Sequence, residues 1–399
     1  MSKLKGYTQA QADMLRYIFN NGQVSRSQLA SHLGVSNLTV INGVKRLLDD
    51  GVLSECGTLP SVRGRRVNLL SLNPELYHFL CVDIGAYATK VAVVRFDGSI
   101  AYREQIKRVN KSSVFSVYIS PDDLRKTLLR IMQSFGQEKI QALCFCISGT
   151  VDFANKRCQF CSNIQGWNGI DFQKEFGDFF QLPVYLDSAG HCAAMAERQF
   201  GKAKGLDDIL FISVGSSICT GIVMGGRVLR GATGAAGEFG HIQLENPAPL
   251  GWTCICGKQN CLEMYATFSM IRRQIYGKVK NTIPGWNHSW NITYEMTKQI
   301  YNEGHPVALE VVNYAGDVLG QQIANLANLI NPKMIILGGG TIYTFPTMVD
   351  QVRGQVQKTS MPIISQELTV EHTALGADAP VLGAALLAIF DLLKKTTSK

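Results

Sequence analysis

No stretch of this 399-residue chain approaches the roughly twenty consecutive apolar residues that a membrane-crossing helix needs. The amino-terminal stretch, MSKLKGYTQAQAD, lacks the apolar centre of a signal peptide. Disulfide pairing is not expected either. Eleven cysteines are an odd number, and without an export signal they suit a reducing cytoplasm, with the thiols buried or on a metal. These absences argue against a membrane protein and a disulfide-stapled secreted one. What remains is an ordinary globular composition, 46% apolar and 18% charged, in a chain long enough for two or three domains. A net charge of +8 permits a nucleic-acid partner without demonstrating one.

Three of the cysteines are bunched. Between Gly231 and Glu263 the chain reads GATGAAGEFGHIQLENPAPLGWTCICGKQNCLE, with Cys254, Cys256 and Cys261 spaced C-x-C-x4-C and His241 thirteen residues ahead. Three thiolates and an imidazole complete a tetrahedral set for structural zinc and leave no position for a catalytic water. Gly257 lets the backbone turn tightly enough for the sulfurs to converge. The alternative is a set of buried, inert thiols. Glu238 and Glu263 flank this loop as groups aimed at a polar ligand. The other histidines, at 32, 78, 191, 288, 305 and 372, carry no motif and read as structural or surface residues.

The first 73 residues change between helical periodicity and breaks every dozen positions. Ala12, Leu15, Ile18 and Phe19 share one helical face, and Asn20-Asn21-Gly22 ends that helix. SRSQLASHL fits a short second helix with Ser25 and Gln28 as a capping box. Gly34 supplies a turn, and Ser36 caps a third helix from Asn37 to about Asp50. Helix, glycine turn and amphipathic helix form a helix-turn-helix. Burying Val40, Val44, Leu47 and Leu48 leaves Ser36, Asn37, Thr39 and Asn42 at the end expected to reach base edges, with Lys45 and Arg46 nearer the phosphates. Beyond Gly51, two short apolar runs around a basic turn predict the wing of a winged helix, with Arg63, Arg65 and Arg66 at its tip. Nine Lys and Arg against four acids leave +5 on this segment, more than half the chain's net charge. Double-stranded DNA is the expected partner; a merely solvated basic face is the plainer alternative.

GATGAAGEFGH followed by CICGKQNCLE closely resembles the signature of the ROK family, which groups sugar kinases with sugar-responsive repressors. SRSQLA, LGVS and GRR resemble the amino-terminal domain of its repressors, although Val67 stands where these usually carry proline. The resemblance implies an α/β protein: a winged helix over 1–75, then a two-lobed actin/hexokinase-like fold. The expected lobes are 76–190, completed by 377–399, and 191–376, the latter carrying the zinc loop and a dimerisation surface. It also implies that Glu238, His241 and Glu263 hydrogen-bond a sugar, with Asn163 of SNIQGWNG and Ser188 beside them.

Against the family's kinases the chain lacks several things. Their E-N-D-A-N-A-A-A-L-A-E stands here as DSAGHCAAMAE, so Ser188 replaces an asparagine and Ala189 replaces the aspartate that accepts the sugar hydroxyl's proton. A positioned base is worth ~10²–10⁴ in rate, and Asp187 lies two residues away. The phosphate hairpin reads DIGAYATK, with Ala86 and Tyr87 where small glycines are wanted. A second loop, SVGSSICTG, has lost three glycines at Ser217, Cys219 and Thr220. ILGGGTIY keeps its glycines, which also suit a plain strand-to-helix joint. The expectation is a kinase-inactive, zinc-containing, cytoplasmic regulator, a repressor of carbohydrate genes, that binds an operator as a homodimer or tetramer and answers to a sugar or amino sugar. The rivals are an active sugar kinase with an added DNA-binding domain, and a regulator switched by a protein partner.

Overall fold

The computed structural model describes residues 4, 6–59, 66–106, 119–162, 164–245, 247, 250–279 and 293–396. At the amino end, helix α1 (Gln9–Asn21), strand β1 (Val24–Ser25), α2 (Arg26–Leu33) and α3 (Asn37–Asp49) lead into the hairpin β2 (Leu53–Leu59) and β3 (Val67–Leu72). The strands form one sheet in the order β1-β3-β2. The caps explain why these helices begin where they do. Thr8 with Gln11, and Ser25 with Gln28, each form a reciprocal capping box. The Ser36 side chain accepts from the Thr39 N–H to start α3.

Two five-stranded sheets follow with the same plan. The first holds β4 (His78–Ile84), β5 (Thr89–Arg95), β6 (Ile100–Ile106), β7 (Ile140–Ile147) and β10 (Val184–Ser188), ordered β10-β7-β4-β5-β6. Helix α4 (Pro121–Phe135), the small hairpin β8 (Thr150–Asp152) and β9 (Arg157–Phe160), and the single turn α5 (Asp178–Phe180) lie between its strands in the chain. Helix α6 (Ala189–Phe200) leads to the second sheet of β11 (Ile209–Val214), β12 (Ile218–Met224), β13 (Arg227–Val228), β14 (Met334–Gly338) and β15 (Thr369–His372), ordered β13-β12-β11-β14-β15. In each, three sequential strands pair antiparallel and two later strands add in parallel. Between β13 and β15 come α7 (Glu263–Ala266), α8 (Phe268–Val279), α9 (Tyr294–Asn302), α10 (Pro306–Ile330), α11 (Gly340–Thr344), α12 (Thr347–Thr359) and α13 (Pro362–Ser365). The chain closes on α14 (Ala379–Lys395).

Strand β4 is buried along its whole length because both of its faces are covered. Leu80, Val82 and Ile84 pack with α4 and Trp167, while Phe79 and Cys81 face α14 and α6. Over Gly376–Lys395 the last helix is long and apolar enough to cross a membrane by composition. It packs instead against β4, β7 and α6, with Leu386 and Ile389 fully buried. The aspartates at 378 and 391 interrupt its apolar run. The core under α14 continues without a break into the winged helix: Leu15, Ile18, Val44 and Leu47 belong to the same cluster as Phe79 and Leu386. Leu48, expected in the core, is half-buried at its edge.

Candidate functional site

The four proposed metal ligands converge. Residues 241–244 lie beside 260–262 through the bonds from Leu262 N to Ile242 O and from Leu244 N to Asn260 O. The knuckle 254–258 closes on itself, with Cys254 N donating to Lys258 O and Gly257 N to Cys254 O. Gly257 sits at φ +82°, a left-handed turn that a side chain would strain. His241 Nδ1 lies 3.5 Å from Cys254 Sγ, and Cys256 Sγ lies 3.5 Å from Cys261 Sγ. All four ligand atoms fall within 4.8 Å of one another. A tetrahedron with Zn–S near 2.3 Å and Zn–N near 2.0 Å has edges of about 3.5–3.8 Å; the two 3.5 Å separations match it, and the widest must close by about 1 Å for the set to hold zinc. Cys254 and Cys261 are buried and Cys256 is exposed, so the loop closes around the site from one side. His241 turns its other nitrogen, Nε2, toward Glu238 Oε2 at 3.8 Å.

Glu238, His241 and Glu263 line a narrow chamber of about 50 Å³ with Ser162, Ser188, Ala189 and Thr220. Burial raises the carboxyls of both Glu238 and Glu263 above their ordinary values. Glu238 keeps 43% of its side-chain surface open, while Glu263 is buried and accepts from the Ile218 N–H at 3.4 Å. The chamber's floor is where α6 meets β12. A Cβ on Gly221 would stand 2.1 Å from Gly190 O, so only glycine allows that approach. Ser188 also caps α6, its hydroxyl accepting from His191 N. Asn163, expected beside these residues, lies outside the described residues.

Both oxygens of Asp187 are engaged within the protein. Its Oδ2 accepts from Arg230 Nε and Nη2 at 2.9 and 2.7 Å, and Oδ1 lies 2.8 Å from His191 Nδ1. Burial raises this carboxyl, but His191 and Arg230 outweigh it and hold it below the ordinary carboxylate range. On its far side His191 Nε2 meets Ala236 O, so a histidine without a motif ties the GATGAAGEFGH loop to α6. Around the former phosphate hairpin, Lys90 Nζ reaches Ala377 O at 3.1 Å and Asp83 Oδ2 at 3.5 Å. Tyr87 stands 53% exposed in the turn between β4 and β5. The glycines of ILGGGTIY join β14 to α11, with Thr341 Oγ1 donating to Gly215 O across the two loops.

On the winged helix, Asn37, Thr39, Asn42 and Lys45 are exposed on α3, as is the capping residue Ser36. Leu38 and Ile41, 66% and 50% exposed, share that helix surface. Apolar side chains there suit thymine methyls, and their position outside the buried Val40–Val44–Leu47 stripe was the available signal. Arg46 is exposed on the same helix and also makes contacts within the domain. Its guanidinium lies over the Tyr7 ring at 4.9 Å and donates to Gly6 O at 3.1 Å, so it braces the amino-terminal segment. Arg66 is exposed beside β3; Arg63 and Arg65 lie outside the described residues.

A profile of the ROK family matches residues 79–390. The chain belongs to the ROK family. Among curated relatives it is 25% identical over 377 residues to the xylose repressor of Bacillus spizizenii, covering 94% of each chain. It is likewise 25% identical over 390 residues to the transcriptional dual regulator NagC of Escherichia coli K12, covering 94% of this chain and 92% of that one. A solved ROK transcriptional regulator, a homologue of E. coli MLC, shares the fold over 97% of this chain and 98% of its own, at a TM-score of 0.76 and 24% identity. A ROK glucokinase of Streptomyces griseus, solved with glucose and AMPPNP, covers 78% of this chain and 98% of its own, at a TM-score of 0.66 and 25% identity.

The two-lobed ROK fold with an added winged helix is thus the architecture of this chain. Two cleft features have no local signature in the sequence. Thr220, which reads there only as a lost glycine, presents a buried hydroxyl with no hydrogen-bond partner among the described residues, beside the chamber it helps line. Arg230 is invisible because its partner lies 43 residues back in the sequence.

Proposed function

We propose that this ROK protein is a sugar-responsive, DNA-binding transcriptional repressor without kinase activity. The observation that carries the reading is the union of a winged helix with a sugar-kinase-type cleft whose base position holds Ala189, while the neighbouring Asp187 is consumed by Arg230 and His191. Relatives named as repressors align along nearly the whole chain, whereas the glucokinase covers 78% of it. The relatives' names point to a pentose or an N-acetylated amino sugar as effector.

The sugar's hydroxyls would be held by Glu238, Glu263 and His241, with Ser188 and Asn163 adjoining. Carboxylates accept such bonds and imidazole can donate one. Zinc, held by His241, Cys254, Cys256 and Cys261, supplies a structural cross-link and no Lewis-acid step. Its role is to fix the His241 ring so that Nε2 faces Glu238 and the ligand. The chain divides functionally at about residues 75 and 190, with 377–399 returning to the first lobe.

Coupling to DNA follows from α6. Its first turn, at Ser188–His191, borders the sugar chamber, and its last turn touches the winged helix. A sugar that draws the lobes together would shift α6 and with it the winged helix. A homodimer would then present its two recognition helices at a spacing that no longer fits a pseudo-palindromic operator. The ligand must bind the two states with different affinity for this to operate.

The test is calorimetric titration with xylose, glucose and N-acetylglucosamine, beside gel-shift measurement of operator binding and an assay of phosphoryl transfer from ATP. Binding without turnover, with weakened operator binding, is expected. Turnover of any sugar would return the protein to the kinases.

A further inference from the structure

The narrow chamber does not end at Glu263. Ser162 and Glu263 also border a second chamber of about 610 Å³, against about 50 Å³ for the first. That volume lies within the ~300–1,000 Å³ of sites that hold drug-sized ligands, far more than the remainder of one monosaccharide requires. Its walls come from several segments of the chain. Trp252 and Ile255 belong to the metal loop, Met264 and Met270 to α7 and α8, and Tyr87 to the β4–β5 turn. Gln165, Thr253, Thr267 and Ser269 contribute amide and hydroxyl groups between them.

This lining has a definite chemistry. Charge is sparse: Glu263 and Arg273 are its two side chains of opposite sign, so a phosphate or carboxylate would find one cation at most. Arg273 is itself stacked on Trp252, its guanidinium carbon 3.9 Å from the ring centroid. An aromatic plate with thioethers and neutral hydrogen-bonding groups suits a pyranose, which offers an apolar C–H face and a rim of hydroxyls. Trp252 is two residues from Cys254, so a metal held by His241 and the three cysteines would also anchor the plate.

We propose that the effector is a glycoside of at least two sugar units. One unit sits against Glu238, His241 and Glu263, and the next occupies the chamber walled by Trp252 and Met270. The proposal rests on the reading of the cleft as a sugar site and makes Trp252 a specificity-determining residue.

The full-length, zinc-loaded protein is titrated with glucose, xylose and N-acetylglucosamine, and with cellobiose, maltose, xylobiose and diacetylchitobiose. At least one disaccharide is expected to bind about tenfold or more tightly than its own monosaccharide, the order of one aromatic contact. Trp252→Ala is expected to abolish that gain while leaving monosaccharide affinity within about twofold. Zinc content reports whether the loop survives this change. Met270→Trp, on α8 and away from the metal loop, is expected to abolish the gain by crowding the place of the second unit against Trp252. If monosaccharides bind and every disaccharide binds equally or more weakly, the two-unit effector is overturned and the sugar reading stands. If a disaccharide gain persists in both variants, the placement in this chamber is overturned. If neither class binds, both readings fall together.

Discussion

Asp187 is a carboxylate whose lone pairs are spoken for. Arg230 and His191 occupy both oxygens in a buried setting, so the charged form is favoured although burial opposes it. The sign of its pH effect follows. A depressed carboxylate contributes its stability fully above its unfolded value of about 3.9 and loses it as pH falls through the lower folded value. Acid melting should therefore steepen below about pH 4, and Asp187→Asn should flatten that limb. The same substitution strands the Arg230 guanidinium, at a cost toward the lower end of ~3–5 kcal/mol because that side chain is partly exposed. Urea denaturation measures it. Ala189→Asp restores a carboxylate at the base position but not the lost phosphate-loop glycines, so phosphoryl transfer should stay undetectable in a coupled ADP assay. Cys256→Ser removes one of four ligands. Stoichiometric zinc should fall to none by elemental analysis, and the melting temperature should fall with it.

At the scale of elements, α3 carries both its own start signal and the proposed reading surface. Ser36→Ala deletes the bond to Thr39 N and should cost ~1 kcal/mol. Asn42→Ala should weaken specific operator binding by about 1–3 kcal/mol and relax preference at one base pair. Lys45→Ala should weaken all sequences alike and lower the salt slope of log K by about 1. Gel shifts on operator and scrambled duplexes, at several salt concentrations, separate the two behaviours. Arg46 is the control on the same helix. Because it braces Tyr7 and Gly6, its loss should cost stability more than salt dependence.

For the whole molecule, the joint between the winged helix and the first lobe is the point of interest. Phe19 packs edge-on to both Phe200 and Phe390, Gln199 Nε2 lies 3.2 Å from Asn20 Oδ1, and Tyr7 N donates to Thr396 O. These contacts clamp α1 against the ends of α6 and α14 in one continuous core. Packed interfaces of this kind shift between discrete arrangements more readily than they deform. Gln199→Leu should leave sugar affinity and operator affinity each within about twofold. The factor by which sugar weakens operator binding should drop toward one, because coupling is a free energy separate from either affinity. Gel shifts with and without saturating sugar read it directly.

Much of this protein was written locally. The helix starts at Ser25 and Ser36, the C-x-C-x4-C knuckle with His241, the family signature and the alanine at 189 are all short-range patterns. Their physics, capping, the gathering of thiols on one loop and the lack of a proton acceptor on alanine, acts over a few bonds or one loop. Only the tertiary structure decided what reaches across the chain: that Arg230 and His191 meet both oxygens of Asp187, that Arg46 reaches Gly6, that Trp252 and Met270 wall one chamber, and that α1 rides on α6. Those partners lie far apart in the chain or belong to different elements, and no local preference ranks them. They are selected when two sheets and a winged helix compete to bury the same apolar surface.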